Sequence, residues 1–187
     1  GQIPVSFNPD GTCWMKQIQP VFGPQHDAAL LAALLGLDAA DIDERFPVEE
    51  VSTGLPFFIV PLKTLAALQG AKVDLGRYYA LIKNTLAKGI LIFCPQTHEP
   101  GSDLSVRVFV DYFGVPEDPA TGSGNGCLAG YLVQQRYFGT DSIKIQCEQG
   151  YEIGRPSLLR LQAAAHGDQI DIRVGGKCEV VARGEFV

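Results

Sequence analysis

Val115-Pro116-Glu117-Asp118-Pro119-Ala120-Thr121-Gly122-Ser123-Gly124-Asn125-Gly126-Cys127 is the stretch on which both fold and function turn. It separates an apolar, mostly period-2 run over residues 104–113 from a run with helical spacing over residues 128–138, so it reads as a strand-to-helix connection, the helix starting near Ser123. Three glycines at alternate positions free the backbone to turn and leave its amides unobstructed. The start of a helix adds unpaired N–H groups and the positive end of the dipole. Such a place takes a carboxylate or a phosphate; it can equally be a glycine-rich turn with Ser123 as a plain helix cap.

Glu117 and Asp118 stand immediately before this loop, and the proline after Asp118 biases that residue toward extended backbone. A carboxyl group beside a substrate carboxylate holds its proton more tightly, through like-charge repulsion and desolvation, and can then serve as a proton donor near neutral pH. The plainer alternative is that Asp118 turns the chain and Glu117 is solvated. Cys127 lies one turn into the helix, where the dipole favours a thiolate, but no histidine is near in sequence and a helical cysteine facing a strand is more often core. Gly124-Asn125-Gly126-Cys127-Leu128-Ala129 also fits a dinucleotide-binding pattern, with Glu148 about 20 residues on as the ribose acid. The nine residues 115–123 that separate Gly114 from Gly124 speak against this NAD-binding, Rossmann-like alternative.

Outward from the loop, residues 5–7 and 12–20 read as a hairpin around Asn8-Pro9-Asp10-Gly11, and Phe22-Gly23-Pro24-Gln25 as a linker. A helix capped by Asp27 runs to Gly36, and residues 38–46 suggest another short helix. Residues 55–62 and 90–94 are apolar runs of buried strands, with helical spacing over 63–70 and 75–88 between them. Short strands follow at 143–146, 158–162, 169–174 and 179–182, with Gly150, Gly154, Gly167 and Gly175-Gly176 as turns. Many strands with few helices, not in strict alternation, give an α+β class.

The 187 residues are 46% hydrophobic and 19% charged, which excludes a disordered chain and a membrane protein. Fifteen basic against 21 acidic residues, net charge −6, leave no electrostatic footprint for nucleic acid. Five scattered cysteines without a Cys-x-x-Cys pair indicate neither a metal site nor a disulfide framework; they and the histidines His26, His98 and His166 read as core and surface residues respectively. Without a signal pattern the expected location is the cytoplasm. The chain opens Gly1-Gln2-Ile3 with its first methionine at Met15, which suggests a processed or truncated piece.

Glu117-Asp118-Pro119-Ala120-Thr121-Gly122-Ser123 resembles the signature of the PhzF family, the phenazine-biosynthesis-like isomerases and epimerases. Ser52-Thr53-Gly54-Leu55-Pro56-Phe57, the segment from Gln149 through Gly154-Arg155-Pro156-Ser157, and Val174-Gly175-Gly176-Lys177 resemble further family segments, in family order. The resemblance implies a fold similar to diaminopimelate epimerase, each lobe a mixed sheet wrapped around a central helix, with the substrate between two lobes. Residues 1–24 would then be a remnant hairpin and linker of the N-terminal lobe, and residues 25–187 the C-terminal lobe. It also implies a cofactor-independent isomerase or epimerase acting on a small carboxylate-bearing substrate, with Asp118 as a catalytic group. Thr121, Gly122 and Ser123 would bind substrate, a catalytic Glu would come from the missing N-terminal lobe, in the same or a separate chain, and the protein would form a homodimer. The competing reading is a non-catalytic binding domain. The run Gly124-Asn125-Gly126-Cys127 departs from the alanine-rich continuation of the family.

Overall fold

The computed structural model describes residues 3–178 and 181–185. Strands β1 (Val5–Phe7) and β2 (Thr12–Lys16) form an antiparallel hairpin whose turn is closed by Gly11 at φ +80°. They are followed by β3 (Val21–His26), α1 (Ala28–Leu34), β4 (Val48–Ser52), β5 (Pro56–Pro61), α2 (Leu65–Gly70) and α3 (Leu75–Ile82). Next come β6 (Gly89–Cys94), β7 (Leu104–Val110), β8 (Val115–Asp118), α4 (Gly122–Gln134), β9 (Ser142–Gln149), β10 (Ser157–His166) and β11 (Gln169–Lys177). All eleven strands belong to one mixed sheet, in the order β1-β2-β11-β10-β9-β7-β6-β5-β4-β3, with β8 paired to β7 off this path. Only β5 with β6 and β7 with β9 run parallel, and each of these pairs is joined by a helical crossover.

Two apolar cores share the sheet. On one side α1, α2 and α3 pack Leu31, Leu34, Leu68, Tyr78 and Ile82 onto Phe58, Val60, Ile90 and Ile92. On the other, α4 packs Leu128, Tyr131 and Leu132 against Phe57, Leu91, Phe93, Leu161 and Ile172. The strands β5, β6 and β7 are therefore covered on both faces, which explains their continuous apolar sequence. The strands β10 and β11 are covered by α4 alone, and their residues alternate between buried and exposed. Helix α4 is buried from Gly124 to Val133, and its glycines allow this: a Cβ on Gly126 would come within 3.0 Å of the Gln17 side chain.

Several sequence expectations change here. Phe22-Gly23-Pro24-Gln25 is part of β3, not a linker; a register irregularity between Phe22 and Gln25 absorbs the proline. Residues 38–46 hold one 3₁₀ turn, Ala39–Asp41, instead of a helix. Helix α3 stops at Ile82, and the Lys88 ammonium donates to the Ile82 and Thr85 carbonyls left free at and beyond its end. β7 ends at Val110 in a 3₁₀ turn, Asp111–Phe113, and β4 and β8 were not expected at all. Gly175 and Gly176 lie inside β11, where the Trp14 ring crosses Gly175 so closely that a Cβ would sit 2.6 Å from it. Of the strand expected at 179–182, Glu179 and Val180 lie outside the described residues. Among the described residues no helix is long and apolar enough to cross a membrane.

Candidate active site at the junction of β8, β9 and α4

The edge of β7 is shared by two strands. β9 pairs with its first half, Val106 opposite Gln149, and β8 with its second half, Val108 opposite Asp118. The ends of β8 and β9 thus meet two residues apart on one neighbour, and the chain leaves β8 at that point to enter α4. Successive residues of a strand point to opposite faces, so Glu117 and Asp118 have different fates.

Glu117 is not solvated. Its carboxylate forms a fork with the Arg107 guanidinium, 2.9 Å to Nε and 2.8 Å to Nη2, with both side chains 9% exposed. Arg107 also donates through Nη1 to the carbonyls of Leu68, Gln69 and Ala71, closing the C-terminal end of α2. The pair pins β8 to β7 and α2 and faces away from the start of α4.

Asp118 is half-buried and accepts a hydrogen bond at Oδ2 from the Thr121 hydroxyl. Thr121, not Ser123, occupies the cap position of α4, and its side chain makes no capping bond because it is turned to Asp118. Gly122 and Ser123 are the first two residues of the helix, half-buried, at its positive end. Sequence reasoning missed Gln149 and Asn125, both buried, which hold the turn between Asp118 and Thr121 by hydrogen bonds. No spacing rule could reveal them, since the two segments meet only through the shared edge of β7.

A cavity of about 620 Å³ opens beside this turn. Ala120 and Gly122 line it with Trp14, Met15, Arg160 and Lys177; Asp118, Thr121 and Ser123 do not. The structure therefore brings the four expected site residues together around one turn, with Gly122 alone of the four on the cavity wall.

Cys127 is a core residue. Burial pushes its thiol up to about 11, against a smaller opposing effect of the Thr53 hydrogen bond, and its Sγ contacts Thr53 Oγ1 at 3.6 Å and the Leu55 carbonyl at 3.5 Å. The dipole expected to activate it loses to desolvation. Cys94 and Cys147 are buried, but Cys178 is exposed and Cys13 half-buried, contrary to the core reading. Two histidines are likewise not surface residues: His26 bonds Glu50 at 2.9 Å against Phe58, and His98 bonds Glu152 at 3.0 Å while stacked on Tyr151. Among the described residues no group of three or more His, Cys, Asp or Glu side chains is arranged to hold a metal.

The dinucleotide reading does not survive the geometry. Gly124 and Gly126 are buried inside α4, not in a loop after a first parallel strand. Glu148, the supposed ribose acid, is 1% exposed and already accepts from the Ser105 hydroxyl and the His98 and Glu99 amides.

The sequence matches the family model described as phenazine biosynthesis-like protein over residues 1–184. The chain belongs to that family. Over 167 residues it is 34% identical to a trans-2,3-dihydro-3-hydroxyanthranilate isomerase of Pseudomonas chlororaphis, covering 86% of this chain and 53% of the relative. A phenazine biosynthesis protein of the PhzF family from Bacillus anthracis superposes with a TM-score of 0.82 at 25% identity, over 94% of this chain and 61% of that one. A predicted epimerase of Pseudomonas aeruginosa gives 0.70 at 31% identity, over 94% and 58%. The chain spans between about half and two thirds of the length of the curated relatives it matches. The family, and a sheet-dominated α+β fold of PhzF type, are thus shown as the signature implied.

Proposed function

We propose that this chain carries one half of the active site of a cofactor-independent isomerase or epimerase, in a lobe of the diaminopimelate epimerase type, with the β1–β2 hairpin as a remnant of the neighbouring lobe. The observation that supports this most is the Asp118 carboxyl group, half-buried three residues before Thr121, the cap residue of α4, and held by the Thr121 hydroxyl. In this reading a small substrate places its carboxylate at the Gly122 and Ser123 amides and the Ser123 hydroxyl. These groups stabilise the negative charge that grows as a proton leaves the carbon alpha or vinylogous to that carboxylate. Asp118 orients the substrate or exchanges a proton with it, and a Glu from the part of the longer relatives without a counterpart here acts as the main base. The Pseudomonas chlororaphis relative is named for isomerisation of trans-2,3-dihydro-3-hydroxyanthranilate, a small unsaturated carboxylate, which supports this class. A homodimer in the cytoplasm completes the proposal.

The test is turnover of trans-2,3-dihydro-3-hydroxyanthranilate, or of a panel of small unsaturated acids, by the protein in which this chain is accompanied by its N-terminal lobe. Asp118→Ala is expected to lower kcat by about 10²-fold or more with the fold retained, while activity within about threefold of the parent overturns the assignment. If the chain proves to be a binding domain only, neither protein turns over any of these acids.

A further inference from the structure

The amides of Gln149 and Asn125 are oriented by backbone groups whose polarity cannot change. The Thr121 carbonyl can only accept, so the Asn125 group 3.0 Å from it is Nδ2, which also reaches Gln149 Oε1 at 2.8 Å. The Thr121 N–H can only donate, and it points at the same Gln149 oxygen, 3.3 Å away. The other end of the Gln149 amide is therefore the nitrogen, and its two hydrogens go to the Asp118 carbonyl at 2.6 Å and to Thr121 Oγ1 at 3.0 Å. All four hydrogen-bonding positions of this 1%-exposed amide are used, and reversing it would set donor against donor and acceptor against acceptor.

This orientation bears on the direction of the next bond. A hydroxyl has one proton and two lone pairs; Gln149 fills one lone pair of Thr121 Oγ1, and a carboxylate can only accept, so the Thr121 proton points at Asp118 Oδ2. Oδ1 takes no hydrogen bond among the described residues and is not sealed from solvent. The amide itself sits where β8 and β9 meet on β7, and the next residue is Gly150 at φ +83°, packed so closely on the Pro119 and Arg155 carbonyls that a Cβ would lie 2.9 and 2.3 Å from them. Gln149 thus fills a gap between two strand ends with a side chain in place of ladder bonds.

We propose that Gln149 is the positioning residue for Asp118: by fixing the Thr121 hydroxyl as a donor to Oδ2, it leaves Oδ1 as the oxygen that exchanges a proton. The inference rests on the reading of Asp118 as an acid–base group, but its test uses no substrate. In the 187-residue chain at neutral pH, the Thr121 hydroxyl proton is expected as a resolved, exchange-protected NMR resonance with a cross-peak to the Asp118 β-protons. In Gln149→Met its exchange accelerates by about tenfold or more, and the Asp118 carboxyl carbon moves to the position it takes in Thr121→Val. A Gln149 that merely supports the fold would lower Tm on substitution and leave the hydroxyl resonance in place. If Gln149→Met does not fold, Gln149→Glu keeps the acceptor for Thr121 and Asn125 but removes the donor at neutral pH, and is expected to lose the resonance equally. Absence of a protected hydroxyl proton in the unsubstituted chain, or its survival with exchange within about twofold in the variant, overturns the proposal. Failure of the Asp118 reading shows up separately, as turnover by Asp118→Ala.

Discussion

Adjacent carboxylates can be assigned opposite tasks by one step along a strand. Glu117 is neutralised by the Arg107 fork and serves the fold, whereas among the described residues Asp118 has only the Thr121 hydroxyl as a partner at its side chain. Burial decides the cysteines in the same way. With its thiol pushed up to about 11, Cys127 is protonated across the physiological range and shielded by the core. Iodoacetamide at pH 8 is therefore expected to label the exposed Cys178 and leave Cys127 unmodified in the folded chain, as read by peptide mass. Rapid labelling of Cys127 would mean that the N-terminal end of α4 is open to solvent and the core assignment wrong.

The strand-to-helix turn at 118–122 is shaped from behind by the turn after β9. Gly150 adopts a left-handed conformation in a space bounded by backbone carbonyls, so neither the φ angle nor the neighbours can yield to a side chain. Gly150→Ala is expected to destabilise the chain by at least about 2 kcal/mol in urea unfolding and to displace Gln149. A loss below about 0.5 kcal/mol would show that the turn is loose and cannot fix Asp118. Elements with strong local signals were legible in the sequence: the apolar runs of β5 and β6, the Asp27-capped α1, the hairpin of β1 and β2, and α4. β4 was missed because Glu49 and Glu50 interrupt its apolar pattern, although both are buried, Glu50 against His26 and the Ala87 amide, and Glu49 against Gln135. β8 was missed because a proline at its second position and its four-residue length leave no period to read. Asp118, Thr121, Gly122 and Ser123 were legible as a contiguous motif, whereas Gln149 and Asn125 depend on which strands share an edge.

Across the whole molecule, one sheet serves two cores, and the difference between its halves should be measurable. β5, β6 and β7 are covered on both faces, while β1 and β3 end the sheet with Phe7 and Val21 exposed. Native-state hydrogen exchange is expected to be slowest in β5, β6 and β7, near the global unfolding limit, and fastest in β1 and β3. Uniform protection would contradict the two-core description. The turn at 118–122 then sits, through β7, on the part of the sheet expected to be most rigid, which suits the proposed role of Asp118.

The proposed proton transfer beside a substrate carboxylate is tested most directly by turnover in D₂O of this chain extended at its N-terminus to the length of its curated relatives, with the product examined by mass spectrometry. Exchange through protein carboxyl groups should place one deuterium on carbon in the product, and Asp118→Ala should lower both turnover and incorporation by about 10²-fold or more. Product formed at the parent rate with no deuterium on carbon would contradict acid–base catalysis at this site.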